Sequence, residues 1–307
     1  MITMREFKIL NSKKKLLNII EADCRDISGV IIRVHGIGSH FQKLYENEDN
    51  IEYLSTLFEP LNIKCFGLEF HGHGKSEGLR CSVDCFDDLV DDLDSLVNYI
   101  NENYKNIPIF IIGESLGGAV TIVHSIKYTR ENICGCVLLA PMCGIDESLH
   151  PNKILKPIFE KISYLLPTYQ MFDTTDKIKD ACQNNKYNRY KKKSIYNYNE
   201  LARLNTAREC YNVCNWIDKN SHLFNKNVFI IHGEDDKITS CNLSIDFYNK
   251  IESKNKEIYL PKNTNHSVLI GLDENDIHPK FVWVKVMIWI KSIMDQKHNE
   301  LLTILPL

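Results

Sequence analysis

The sequence predicts a doubly wound α/β domain, with a mostly parallel sheet flanked by helices and a helical segment inserted between two of its strands. Three observations lead there. Short runs of β-branched and other apolar residues recur along the 307 residues. Helical periodicity fills the intervals between them. The alternation breaks once, between about residues 144 and 221. Apolar runs this short, bounded by turn residues, suit strands buried on both faces of a parallel sheet, and repeated strand-then-helix order implies a doubly wound domain.

The runs fall at residues 28–34 (SGVIIRV), 62–70 (NIKCFGLEF), 106–112 (NIPIFII), 134–139 (CGCVLL), 227–231 (NVFII) and 256–260 (KEIYL). Residues 83–104 place Phe86, Leu89, Val90, Leu93, Leu96, Val97 and Ile100 at steps of three and four. That is one apolar stripe, which leaves Asp87, Asp88, Asp91, Asp92 and Asp94 largely to water. Residues 281–294 (FVWVKVMIWIKSIM) carry Lys285 and Lys291 and fall short of a membrane span, so they read as a terminal helix packed on a core. We expect a core of 1–143 and 222–307 and a helical cap of 144–221, without internal repeats.

Composition narrows the function. Apolar residues make up 44% and charged residues 25%, with a net charge of -3. That is an ordinary globular balance, without the basic field that nucleic acid binding calls for. The N-terminal residues carry charge throughout and lack the apolar run of a secretory leader. The eleven cysteines are scattered. Cys81/Cys85 and Cys210/Cys214 are four apart, not at zinc-site CxxC spacing, so the thiols read as free and the setting as cytoplasmic. The sequence carries no signal for oligomeric state.

The chemistry begins at Gly113-Glu114-Ser115-Leu116-Gly117-Gly118, a G-x-S-x-G between a buried strand and an apolar helix. A serine at such a turn is held in a strained conformation, with its Oγ lifted clear of the sheet at a helix N-terminus. Bulk two residues to either side would clash, hence the glycines. Serine needs a base to take its proton, and behind such an elbow the acid and then the histidine follow in chain order. His266, in NTNHSVL, is the expected base. Asp236, in HGEDDKIT, is the expected acid, with Asp235 as its rival. His232 ends the preceding strand and reads as structural. The backbone N–H groups of Leu116 and Ile37 are the expected oxyanion donors.

With these residues in place, the chain resembles α/β-hydrolases of the monoacylglycerol lipase and lysophospholipase type, plant-like members in particular. HGIGSH is similar to the oxyanion loop, GHGKSEG to the G-H-G-x-S-x-G loop, and GESLGGAV to the nucleophile elbow. LLAPMCGI and LNTAREC resemble the borders of the cap, and the HGEDDKIT and NTNHSVL loops resemble those of the acid and base. The family's acid lies three residues after the loop glycine, which corresponds to Asp236. Two departures stand out: Glu114 where His is common, and Glu69 where Asp is usual. The cap is the least similar part. The resemblance implies a serine ester hydrolase without cofactor, acting on monoacylglycerols, lysophospholipids or small esters. A peptidase or amidase of the same fold and a non-catalytic binding protein are the alternatives.

Two further stretches invite a reading. FHGHGKSEG (residues 70–78) lacks the other ligands of an HxHxDH metal site, and position 69 is Glu where a phosphate loop needs Gly. His71 and His73 are therefore expected to make structural hydrogen bonds, and no metal is expected. In the cap, Ile154, Leu155, Ile158, Phe159, Ile162, Tyr164, Leu165 and Leu166 either line a lid over an acyl chain or dock the cap on the core. The basic run 186–193 either touches an anionic membrane surface or is solvated.

Overall fold

The computed structural model describes residues 2–42, 50–144, 156–172, 180–273 and 275–304. Ten strands are present among them: β1 (Met4–Leu10), β2 (Leu16–Ala22), β3 (Gly29–Val34), β4 (Ile63–Glu69), β5 (Ile109–Glu114), β6 (Ile133–Leu139), β7 (Gln170–Phe172), β8 (Ala202–Arg203), β9 (Val228–Ile231) and β10 (Lys256–Tyr259). Eight of them form one sheet in the order β1-β2-β4-β3-β5-β6-β9-β10. β2 runs antiparallel to both β1 and β4, while the pairs from β4 through β10 are parallel. All six sequence-expected strands are in the sheet.

The β1–β2 hairpin was not expected from the sequence. Its alternation is interrupted by Arg5, Lys8 and the polar turn around Asn11 to Lys15, so no continuous apolar run marks it. Asn11 closes that turn, its Oδ1 accepting from the N–H groups of Lys13 and Lys15 at 3.0 and 2.9 Å.

Eight helices are present among the described residues: α1 (Ile51–Phe58), α2 (Phe86–Asn103), α3 (Leu116–Lys127), α4 (Lys156–Leu165), α5 (Asn185–Lys193), α6 (Leu204–Asn220), α7 (Cys241–Lys250) and α8 (His278–Ile304). α2, α3, α6 and α7 pack one core layer, which includes Leu93, Val120, Ile217 and Phe247. α1 and α8 pack the other with Phe58, Trp283, Val286 and Trp289. The terminal helix thus docks as expected.

The aspartates of α2 correct the reading of that helix. Asp88, Asp92 and Asp94 are buried, Asp92 completely. Asp92 accepts from His71 Nδ1 and Asn11 Nδ2, both at 2.7 Å. Asp94 pairs with Arg130 at 2.7 Å and lies 3.1 Å from His124 Nε2. The stripe accounts only for the face on the sheet. The hairpin and the loop after β4 cover Asp88 and Asp92, and α3 with the turn after it covers Asp94, so these carboxylates are hydrogen-bonded rather than hydrated.

The stretch between β6 and β9 carries a two-stranded antiparallel sheet, β7–β8, besides helices. Ile154 and Leu155 lie outside the described residues. Ile158, Ile162, Tyr164, Leu165 and Leu166 are exposed. None of them lines the cavity described below, and Tyr164 packs its ring on the Arg208 guanidinium of α6 at 4.1 Å.

Candidate active site

Because five strand pairs are parallel, the C-terminal ends of β3, β4, β5, β6, β9 and β10 share one sheet edge, and the loops that leave it can meet. Ser115 follows β5 there with φ +53° and ψ -116°, a region that non-glycine residues occupy only under constraint. The constraint is visible. Ser115 N–H donates to Leu139 O at 3.0 Å, and Ser115 O accepts from Gly118 and Met142 N–H, each at 3.0 Å. A Cβ on Gly117 would come within 2.6 Å of Val34 O, and one on Gly113 would collide with Gly117 O and Thr121 Oγ1. The glycines let the elbow approach the neighbouring strand, for the steric reason read from the sequence.

Asp236 and His266 meet across the β9 and β10 loops. Asp236 Oδ2 lies 2.7 Å from His266 Nδ1. It also lies 2.9 Å from His232 Nε2 and accepts from Thr239 Oγ1 at 2.9 Å. Oδ1 accepts from the N–H groups of Ile238 and Thr239 at 2.7 and 3.1 Å. Burial alone would raise the Asp236 pKa. The bonds to His232 and His266 outweigh it and hold the carboxylate well below the usual range. With Nδ1–H given to Asp236, His266 keeps Nε2 as an acceptor. Asp235 is exposed and makes no hydrogen bond to His266.

Ser115, His266, Gly36, Ile37 and Glu114 line one cavity at this edge. Ser115 Oγ makes no hydrogen bond to His266 among the described residues, as is common where catalytic contacts tighten only on substrate. A Cβ on Gly36 would stand 3.3 Å from Ser115 Cβ, so the loop after β3 runs against the serine. Neither Ile37 N–H nor Leu116 N–H donates to an acceptor among the described residues.

The glycine-rich loop buttresses this arrangement from behind. Glu69 accepts from Phe41 N–H at 2.9 Å and Lys75 N–H at 2.8 Å, which ties the oxyanion loop to the loop after β4. His71 bonds Asp92, and His73 Nδ1 lies 3.1 Å from His71 O. Both histidines make the structural bonds expected of them. Burial holds His73 down to about 4, and His40 also to about 4 with Lys191 adding to the effect.

Several participants were not legible in the sequence. Thr239 is one: a lone hydroxyl three residues past the acid carries no pattern. His232 was read as structural, and it is, but its partner is the Asp236 carboxylate itself. The i,i+4 spacing of His232 and Asp236 is a signal that could have pointed to it. Glu114 faces the cavity with its carboxylate held by buried Arg33 at 2.7 Å, a pair from adjacent strands 81 residues apart in sequence, which no local motif records. Lys191, read only as part of a basic run, lines the cavity.

A parallel sheet with a strained serine at a strand-to-helix turn defines an α/β-hydrolase. Residues 25–273 match the family model described as serine aminopeptidase, S33, and the chain belongs to that family. The chain is 23% identical over 267 residues to caffeoylshikimate esterase of Arabidopsis thaliana, covering 86% of this chain and 78% of that protein. It is 29% identical over 138 residues to the monoglyceride lipase of Rattus norvegicus, a match spanning 45% of this chain and only 42% of the relative. The structure is similar to that of a soluble variant of Saccharomyces cerevisiae monoglyceride lipase in complex with a substrate analog. The TM-score is 0.78 at 18% identity, over 95% of each chain.

Proposed function

We propose that the protein is a serine carboxylic-ester hydrolase in which Ser115 is the nucleophile, His266 the general base and Asp236 the residue that orients it. The observation that carries this reading is the strained Ser115, lying in one cavity with a His266 whose far nitrogen is bonded to a buried carboxylate. Ser115 Oγ attacks the ester carbonyl while His266 Nε2 takes its proton. The N–H groups of Ile37 and Leu116, free of other acceptors, receive the oxyanion. His266 returns the proton to the leaving alcohol, and water repeats the cycle on the acyl-enzyme. Arg33 keeps Glu114 occupied, so a second carboxylate does not compete for the imidazole.

Monoacylglycerols, lysophospholipids and small esters are the proposed substrates; the monoglyceride lipase and caffeoylshikimate esterase relatives support the first and the last of these. The insertion 144–221 is the proposed cap, rooted on the core by α6, whose Val213, Cys214 and Ile217 are buried with α3. α4 presents Ile158, Ile162 and Leu165 to solvent, which suits transient contact with a lipid surface. Glutamate at Ile162 and Leu165 should then abolish vesicle binding. A cytoplasmic setting belongs to the same proposal and rests on eleven unpaired thiols; no helix among the described residues is long and apolar enough to cross a membrane.

The test is hydrolysis of a p-nitrophenyl ester series, a monoacylglycerol and a lysophosphatidylcholine beside an aminoacyl amide. The amide is included because the family's description names an aminopeptidase. Esters should be cleaved, and Ser115→Ala should lower turnover by at least ~10⁴-fold. Amide-only cleavage, or an active Ser115→Ala, contradicts the reading.

A further inference from the structure

The basic run folds as α5, and one face of that helix looks into the active-site cavity. Tyr187, Asn188 and Lys191, at i, i+1 and i+4, line it, and Asn197 joins them from the turn beyond the helix. Two amide oxygens there are left over. Asn188 Nδ2 donates to Cys182 O at 2.7 Å and Asn197 Nδ2 to Asn199 Oδ1 at 2.7 Å. The Asn188 bond to a carbonyl fixes which end of that amide is oxygen. Oδ1 of both residues is buried and receives no hydrogen bond, and Asn197 as a whole is only 8% exposed. An acceptor desolvated without a donor costs about 1–3 kcal/mol; each oxygen has under 1 Å² of surface, so a ligand hydroxyl satisfies it after a small turn of the amide toward the cavity that the residue lines.

Lys191 supplies the other half of the argument. Among the described residues it has no carboxylate partner; its Nζ lies 5.9 Å from the Tyr187 ring centroid. Glu114, the carboxylate on the cavity wall, is held by Arg33. Arg80, nearby, donates to the carbonyls of Gly74 and Tyr196 rather than to an acid. The positive charge over the cavity is therefore unanswered. Position says which part of the substrate meets it. Asn188 is bonded to Cys182, and Ser267 N–H, next to His266, donates to Ala181 O at 2.9 Å. The N-terminal half of α5 thus stands on the His266 side, where the leaving alcohol is protonated, and the helix runs from there over the cavity to Ser194, which bonds His40.

We propose that this face of α5 is the subsite for the alcohol portion of the ester, and that it selects an alcohol bearing both free hydroxyls and a negative charge. The inference rests on the hydrolase reading above. The anion is a phosphate or a carboxylate, and a matched series separates them: decanoyl esters of glycerol 3-phosphate, glycerate, glycerol and propanol.

Wild type should favour the anionic esters in kcat/KM, and added salt should erode that preference. Lys191→Gln should narrow the anionic-to-propyl ratio by about 10- to 30-fold, and Lys191→Arg should restore most of it. A merely structural role for Lys191 would lower all four esters together. Preference for the phosphate alone, or for both anions, decides the source. If propyl decanoate is cleaved in a Ser115-dependent way but the ratio does not move in Lys191→Gln, the subsite is wrong and the hydrolase reading stands. If no ester is cleaved in a Ser115-dependent way, both fall.

Discussion

The floor and the ceiling of the cavity are built on different principles. The floor is made by loops that leave one sheet edge, and its atoms are saturated: Asp236 is bonded on both oxygens, and Ser115 is pinned through its own N–H and C=O. Among the described residues, the ceiling, from α5 to Asn197, holds amide oxygens without donors and a lysine without an acid. Saturation fixes geometry, which acyl transfer needs whatever the ester. Unspent hydrogen-bonding capacity is what a substrate can answer, so the ceiling is where selectivity resides.

The comparison breaks most severely if the floor tolerates change. Asp236→Asn should lower kcat by about 10³- to 10⁴-fold, because the imidazole loses its orienting charge and its tautomer. Asp235→Asn should leave kcat within about threefold, since that carboxylate is solvated and remote from the ring. Equal losses in the two, measured on one p-nitrophenyl ester, would remove the distinction.

Next in size, Gly117→Val should cost more than about 3 kcal/mol in urea unfolding, because backbone oxygens rather than movable side chains occupy the space its Cβ would need. Retained stability would mean the elbow can open.

The buried histidines behind the floor give a pH test. Their folded pKa values, about 4 for His40 and His73, lie below the ordinary 6.5. The unfolded chain takes up the proton first, so stability should fall as pH drops from about 6.5 toward 4 and level off above that window. Each contributes about 3 kcal/mol. His40→Gln should flatten the curve of urea midpoint against pH, and an unchanged slope would show that this ring is not responsible.

The smallest expected effect lies where ceiling and floor join. His40 Nδ1 accepts from Gln42 N–H at 2.9 Å, which leaves Nε2–H to donate to Ser194 Oγ at 3.0 Å. Tyr198 N–H donates to Gly38 O at 2.8 Å. The insertion therefore steadies the oxyanion loop. Ser194→Ala should lower kcat about fivefold, the worth of one neutral hydrogen bond, with KM little changed and Ser194→Thr near normal.

How much of this could be read from the sequence follows the same division. Strands buried on both faces announce themselves as apolar runs, and the elbow and the acid and base loops stand at their ends with little freedom in spacing. Ser115, Asp236 and His266 were therefore legible as a set. The β1–β2 hairpin was not, because β1 lies largely exposed and the buried run of β2 is broken by Asn18 and Glu21. Asp92 and Asp94 were misread because helical periodicity records only one buried face. The ceiling was the least legible part. Lys191 looks like its neighbours in NKYNRYKKK, and only the packing of α5 over the sheet edge separates it from Arg189, Lys192 and Lys193, which are exposed.

The most direct test of the central claim is to trap the acyl-enzyme analogue. Wild type is treated with an alkyl fluorophosphonate, digested, and examined by mass spectrometry, with Ser115→Ala alongside. The expected result is a single phosphonyl adduct on the peptide containing Ser115, formed in step with the loss of esterase activity and absent from the variant. Activity that survives full labelling, or an adduct that forms elsewhere while activity is lost, would contradict a Ser115 nucleophile.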